Sequence, residues 1–278
     1  IIMSDLNLDS LLNDVPIEVN YSELENSCFV DLSLEMPKPE ILLSIGRHEY
    51  KGVMYDTQIW TAGEFSAIVA ESKAKKSFLK SGLIGCYIGG TASTLFPNIK
   101  SHRDAEYQIL DFDTEQGKYY TQRTFRRVQD ISGSIYEHYR GYATRSLSSS
   151  ERLGLIDYCL KNQKTLYKKE VKLISVDGIA DLVENTNDIV MSKEASDYLL
   201  KWTNDYNIHV CTIIHKAAST GKPLGHLGTY VLKKAETVMN LDMNEDRSVT
   251  VTNPYSRGYH FESFTFDINK NGLPYLIE

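Results

Sequence analysis

From Ile41 onward the chain is a succession of short apolar runs separated by longer amphipathic or polar stretches. The runs predict buried strands at Ile41–Ile45, Phe65–Ala70, Tyr107–Phe112, Val171–Val176 and Ile208–Ile214, each short and apolar as strands covered on both faces are. Between them, Ser148 followed three residues later by Glu151 has capping-box spacing ahead of Leu153, Leu155, Ile156 and Leu160. That spacing predicts a helix over Ser149–Lys161, and a second helix is predicted over Ser192–Asn204. Strands alternating with helices indicate an α/β domain with a mainly parallel sheet flanked by helices. Near the C-terminus the period shortens to two, with Val249 and Val251 in one strand and Phe261, Phe264, Phe266 and Ile268 in the next, closed by a turn at Asn269–Gly272. Antiparallel strands are therefore expected at the C-terminal end of the sheet.

Residues 1–40 have a different texture, rich in Asp, Glu, Asn and Ser, and read as an acidic arm ahead of a domain spanning 41–278. The arm holds one amphipathic run, Leu6, Leu8, Leu11 and Leu12, spaced for a helix face. A helix that short is marginal alone, so it is expected to pack on an adjacent subunit. No basic segment precedes an apolar one at the start, so no signal peptide is read, and the uncharged stretch between Lys80 and Lys100 is diluted by Gly82, Gly85, Gly89 and Gly90. No membrane helix is expected, and the protein is placed in the cytoplasm. Cys28, Cys86, Cys159 and Cys211 lack C-x-x-C pairing, which argues for reduced thiols over zinc or a disulfide scaffold.

With 42% apolar and 24% charged residues the chain can bury a core, which excludes a disordered or fibrous class. Its formal charge of −7 argues at first against a nucleic-acid partner. The charge is not evenly spread: residues 1–50 carry ten acidic and two basic side chains, which leaves residues 51–278 at +1. Lysines gather at residues 73–76 and at 216–234.

Several strand ends carry chemistry. After Phe65–Ala70 comes Ala70-Glu71-Ser72-Lys73-Ala74-Lys75-Lys76-Ser77-Phe78, a polar loop and then Lys-Ser opening a helix, where a Walker A loop would lie. Such a loop holds phosphates on backbone N–H groups and a helix N-terminus, with Lys76 placed for the β and γ phosphates and Ser77 for Mg²⁺. Ala70 and Lys75 stand where G-x-x-x-x-G-K-[ST] has glycine, so the match is degenerate; a solvated basic helix start is the alternative. The Asp111-Phe-Asp113-Thr-Glu115 stretch ends the next strand with carboxylates, placing Glu115 to activate a water. Asp177 follows four mostly apolar residues in the Walker B manner, where a carboxylate holds the metal shell; a strand-end Asp capping the following turn is equally consistent. His215 ends the last predicted core strand, suited to sense a γ-phosphate; a satisfied strand-end histidine is equally consistent. Lys216 to Thr229 reads as a flexible polar loop, with Lys216, Lys222 and His226 as candidate nucleic-acid contacts. Arg257 lies on a turn between late strands.

Together the strand-loop-Lys-Ser, DFDTEQG, SVDGIADL, the IIH strand end, GHLGT and the late SRG resemble the RecA-like ATPase core of hexameric replicative helicases, over roughly Ile41 to the C-terminus. Within that group the chain looks most like ATPases encoded beside primase and mobilisation proteins on bacterial mobile elements. The resemblance implies an ATP- and Mg²⁺-dependent NTPase that forms a hexameric ring on single-stranded DNA, with a primase or mobilisation protein as a partner. It implies Lys76 and Ser77 as phosphate and magnesium residues, Glu115 as catalytic glutamate, Asp177 as Walker B carboxylate, His215 as sensor and Arg257 as a finger offered to the next subunit. Two alternatives accompany it: a RecA-fold nucleotide-binding assembly protein with weak or no hydrolysis, and a recombination or clock-like ATPase without unwinding.

Overall fold

The computed structural model describes residues 20–216 and 225–277. Its contacts divide the chain into residues 1–38 and 39–278. The Leu6–Leu12 run lies outside the described residues. Among the described residues of the first unit, helix α1 (Tyr21–Cys28) is capped by the Asn20 side chain accepting from the Glu23 N–H, and none of its eight residues is buried.

The second unit has an α/β architecture. Among its described residues, β1 (Ile41–Tyr50), β2 (Val53–Thr61) and β4 (Ile99–Ser101) form a small antiparallel sheet in the order β2-β1-β4. The main sheet takes β3 (Phe65–Ala70), β5 (Gln108–Asp113), β6 (Tyr139–Ala143), β7 (Val171–Asp177), β8 (His209–His215), β9 (Thr237–Met243), β10 (Val249–Ser256), β11 (Phe264–Ile268) and β12 (Pro274–Ile277). Their order is β12-β11-β10-β9-β3-β8-β7-β5-β6, parallel from β9 through β6 and antiparallel from β9 to β12. The expectation of a parallel sheet extended by antiparallel strands agrees with this arrangement. Ile41–Ile45, read as a core parallel strand, instead begins β1 of the small sheet, because Leu42, Leu43 and Ile45 bury against Ile59, Trp60 and Ile99.

The helices are α2 (Lys76–Ile88), α3 (Ala92–Leu95), α4 (Lys118–Ser132), α5 (Ser149–Lys161), α6 (Gln163–Tyr167), α7 (Ile189–Tyr206) and α8 (Gly225–Lys234). Helix α5 has the expected limits, with both halves of the Ser148–Glu151 capping box formed. The stretch read as a loop up to Thr229 is helical from Gly225, because Leu227 and Val231, four apart, bury on the sheet. Helices α2 and α4 pack over Ile68, Ile109, Leu173, Cys211 and Ile213, so close that a Cβ on Gly85 would lie 2.4 Å from Ile131. Helices α5, α7 and α8 cover the other face over Phe65, Val69, Leu110, Ile174, Val176 and Val210.

This two-faced cover follows from the strand order. The chain leaves β3 through α2 to β5 and on through α4 to β6, then returns to β7, β8 and finally β9 on the far side of β3. Right-handed crossovers put outgoing and returning helices on opposite faces. The helices that follow the adjacent strands β3 and β8, α2 and α8, therefore lie on opposite faces, which makes these strand ends the switch point at which open α/β sheets take their ligands.

Candidate active site at the ends of the parallel strands

Strand register assembles this site. Ala70 of β3 stands opposite His215 of β8, and Asp113 of β5 opposite Asp177 of β7. All four strand ends thus reach the same edge, and the residues beyond them meet there.

The loop after β3 turns through two left-handed residues, Lys73 (φ 67°) and Lys75 (φ 57°), before α2 starts at Lys76. A left-handed side-chain-bearing residue costs about 1–2 kcal/mol, so something must hold this loop. Lys75 shows what does. Its ammonium turns outward to Asp267 Oδ1 of β11 (2.7 Å) and to the carbonyl of Arg247 in the β9–β10 turn.

Lys76 points into the site, donating to the Glu71 carbonyl (2.7 Å) and to His215 Nδ1 (3.0 Å). With Nδ1 accepting from an ammonium, the ring proton sits on Nε2 and is donated to Glu115 Oε1 (2.7 Å). Lys76, His215 and Glu115 are therefore one connected chain. Burial draws the Lys76 ammonium below its ordinary range, partly offset by Glu115 and Asp177. Glu115 itself is 43% exposed.

Beneath this open layer lies a closed one. Ser77 Oγ donates to Asp177 Oδ2 (3.1 Å), and Lys80, one turn further along α2, reaches Asp111 (3.0 Å) and Asp177 (3.2 Å) with no exposure at all. Burial alone would depress Lys80, but Asp111 and Asp177 outweigh it and hold its ammonium above the usual lysine range. Tyr139 donates to the other Asp111 oxygen (2.8 Å). Asp113, raised by burial, accepts from the Glu115 and Gln116 N–H groups and from Gln116 Nε2, shaping the turn that carries Glu115. Thr114 Oγ1 lies 2.6 Å from both the Asp177 carbonyl and Asp181, where Gly178 (φ 101°) leaves it room.

Lys76, Ser77, Glu115, Asp177 and His215 thus converge. Lys216, His226 and Arg257, also singled out from the sequence, do not join them. Lys216 continues β8 and pairs with Asp242 (3.4 Å); His226 is exposed in the first turn of α8; Lys222 lies outside the described residues. Arg257 sits at the opposite edge of the sheet, where its guanidinium holds both oxygens of Glu64 (2.8 and 3.0 Å) and the Lys234 carbonyl (2.7 Å). Sequence reasoning missed Lys80 and Asp267. A lone charge inside the apolar run of α2 was a signal for Lys80; nothing local marks Asp267.

Among the described residues no group of three or more His, Cys, Asp or Glu side chains is arranged to hold a metal unaided. One hydroxyl and one carboxylate, Ser77 and Asp177, suit Mg²⁺, which keeps several waters and takes the rest of its shell from substrate phosphates. No helix of the described residues is long and apolar enough to cross a membrane. The chain matches no protein-family model and no curated protein.

Proposed function

We propose that the protein is a Mg²⁺-dependent ATPase with a RecA-like P-loop core, acting on single-stranded DNA as a ring-forming helicase or translocase of a mobile element. The observation that carries this reading is the Lys76–His215–Glu115 chain standing beside Ser77 and Asp177 at the switch point of the sheet.

In this reading the phosphates replace the present partners of Lys76, whose ammonium exchanges the Glu71 carbonyl and His215 for phosphate oxygens. His215, relieved of that contact, reports the occupied site to Glu115 through its Nε2–H. Glu115, still partly in solvent, orients and deprotonates the attacking water. Ser77 and Asp177 would hold Mg²⁺, whose charge would offset that of the phosphates. Lys80 keeps the Asp177 carboxylate fixed from below. Arg257 lies on the far edge of its own chain, so a finger role belongs to a neighbouring copy. A hexameric ring and a primase or mobilisation protein as partner belong to the same reading, and the short amphipathic run of the arm, marginal as a helix alone, would be the connector.

The second reading, a RecA-fold assembly protein that binds nucleotide without appreciable turnover, is favoured by Lys73 and Lys75 in backbone positions that suit glycine. ATP turnover with and without single-stranded DNA separates the two. The expected outcome is turnover by the parent, lowered 10²–10⁴-fold by Glu115→Gln with nucleotide still bound, and loss of binding in Lys76→Ala. Binding with no turnover in the parent would select the assembly reading.

A further inference from the structure

A lysine stands where a phosphate loop has glycine, and its side chain takes no part in the site. Lys75 is left-handed (φ 57°), lies at the N-cap of α2 and makes no capping hydrogen bond. Its ammonium is carried away from Lys76 to two places 172 and 192 residues further along the chain, the Arg247 carbonyl and the Asp267 carboxylate. Arg247 is itself left-handed (φ 70°), in the β9–β10 turn, and Asp267 is fixed in β11 opposite Tyr275 of β12. The Lys75 ammonium is largely sheltered, with 16% of its side chain exposed. Asp267 responds to it, its carboxyl held below the usual carboxylate range first by the hydrogen bond from Lys75.

A strained backbone residue persists where surrounding structure over-determines it. Here the determinants are the two contacts of one side chain, to the β9–β10 turn and to β11. Glycine would meet the same backbone demand without a partner.

Resting on the nucleotide-binding reading above, we propose that Lys75 and Asp267 form a latch that sets the shape of the phosphate loop, making Asp267 a positioning residue for nucleotide phosphates. The latch keeps Lys75 out of the phosphate space, so that phosphates are met by the loop N–H groups and Lys76. It also ties nucleotide affinity to the placement of the β10–β12 strands. A partner or neighbouring copy that moves those strands would alter nucleotide binding without touching the loop.

A double-mutant cycle on the full-length chain tests this, with a fluorescent ATP analogue and Mg²⁺ as the probe. Asp267→Ala is expected to weaken binding about five- to ten-fold, a coupling of the size seen between contacting residues. Asp267→Asn, which keeps the shape and loses the charge, should behave alike, and Asp267→Glu should recover most of the affinity. In the Lys75→Gly background, whose own affinity is the reference, Asp267→Ala should change binding less than two-fold. Parent-like binding by Asp267→Ala overturns the latch and leaves the nucleotide reading standing. An equal loss in both backgrounds also overturns it, since Asp267 would then act without Lys75. Absence of binding by the parent overturns the nucleotide reading and the latch together.

Discussion

The two edges of the parallel sheet handle charge in opposite ways. Where the strands begin, ionisable groups are saturated within the chain. Glu236, buried, accepts from the Thr61 N–H, the Thr61 hydroxyl and Gln58; His209, buried beside it, donates Nδ1–H to the Thr61 carbonyl and accepts from Ser66 at Nε2. Arg257 closes the same edge on Glu64. Where the strands end, Lys76 leans on a loop carbonyl and a histidine, Glu115 is half in solvent, and Ser77 shares one contact with Asp177. Groups whose hydrogen-bonding capacity is filled internally stabilise a fold; groups left with spare capacity beside a crevice can exchange partners for a ligand. Helices α2 and α8, which follow β3 and β8, lie on opposite faces of the sheet, so among the described residues these groups keep that spare capacity.

The sharpest test of this contrast is Lys80, the closed layer under the open edge. Lys80→Met leaves Asp111, Asp113 and Asp177 buried without their counter-ion and is expected to cost about 3–5 kcal/mol in denaturant unfolding. Adding Asp111→Asn should return part of that loss, since it removes one of the buried carboxylates that Lys80 compensates. A cost below about 1 kcal/mol would mean that the open layer extends down to Lys80.

At the other edge the prediction concerns pH. Burial pushes Glu236 up to about 7 and His209 down to about 3. Glu236, raised, contributes stability that is complete below about 4.5 and lost as pH rises through 7. His209, lowered, contributes stability that is complete above 6.5 and lost as pH falls toward 3. Between about 4.5 and 6.5 the two slopes cancel. Glu236→Gln leaves His209 alone, so stability should fall as pH drops through that window by about 1.4 kcal/mol per unit relative to the parent. Parallel profiles for parent and variant would show that Glu236 does not titrate there.

The smallest effect belongs to Arg257, whose pair with Glu64 is half exposed. Arg257→Ala should cost no more than about 1 kcal/mol of stability. A larger turnover loss in the assembled protein than in dilute chain would give the residue its role across a subunit boundary.

Much of the site was legible because each part is a local pattern: an apolar run followed by a polar strand end. Phe65–Ala70, Val171–Asp177 and His209–His215 fall within a residue or so of their expected limits, and their ends carry Lys76, Asp177 and His215 into one place. Strands β2, β6 and β9 and helix α4 went unread. Strand β6 is an edge strand with little burial, so it lacks the apolar signature, and α4 buries only a narrow stripe behind Arg123, Arg126 and Arg127.

By itself, then, the sequence determined the α/β alternation, the capped helix α5 and the carboxylates and lysines at strand ends, since burial period and capping act over a few residues. Tertiary structure alone decided that Ile41–Ile45 joins a separate sheet, that Arg257 faces the opposite edge, that Lys80 is an internal counter-ion and that Lys75 leans on Asp267. An apolar run states that it will be buried, not against which strand, and a charge does not name its partner. Those choices are made by strand order and register, which bring together residues far apart along the chain.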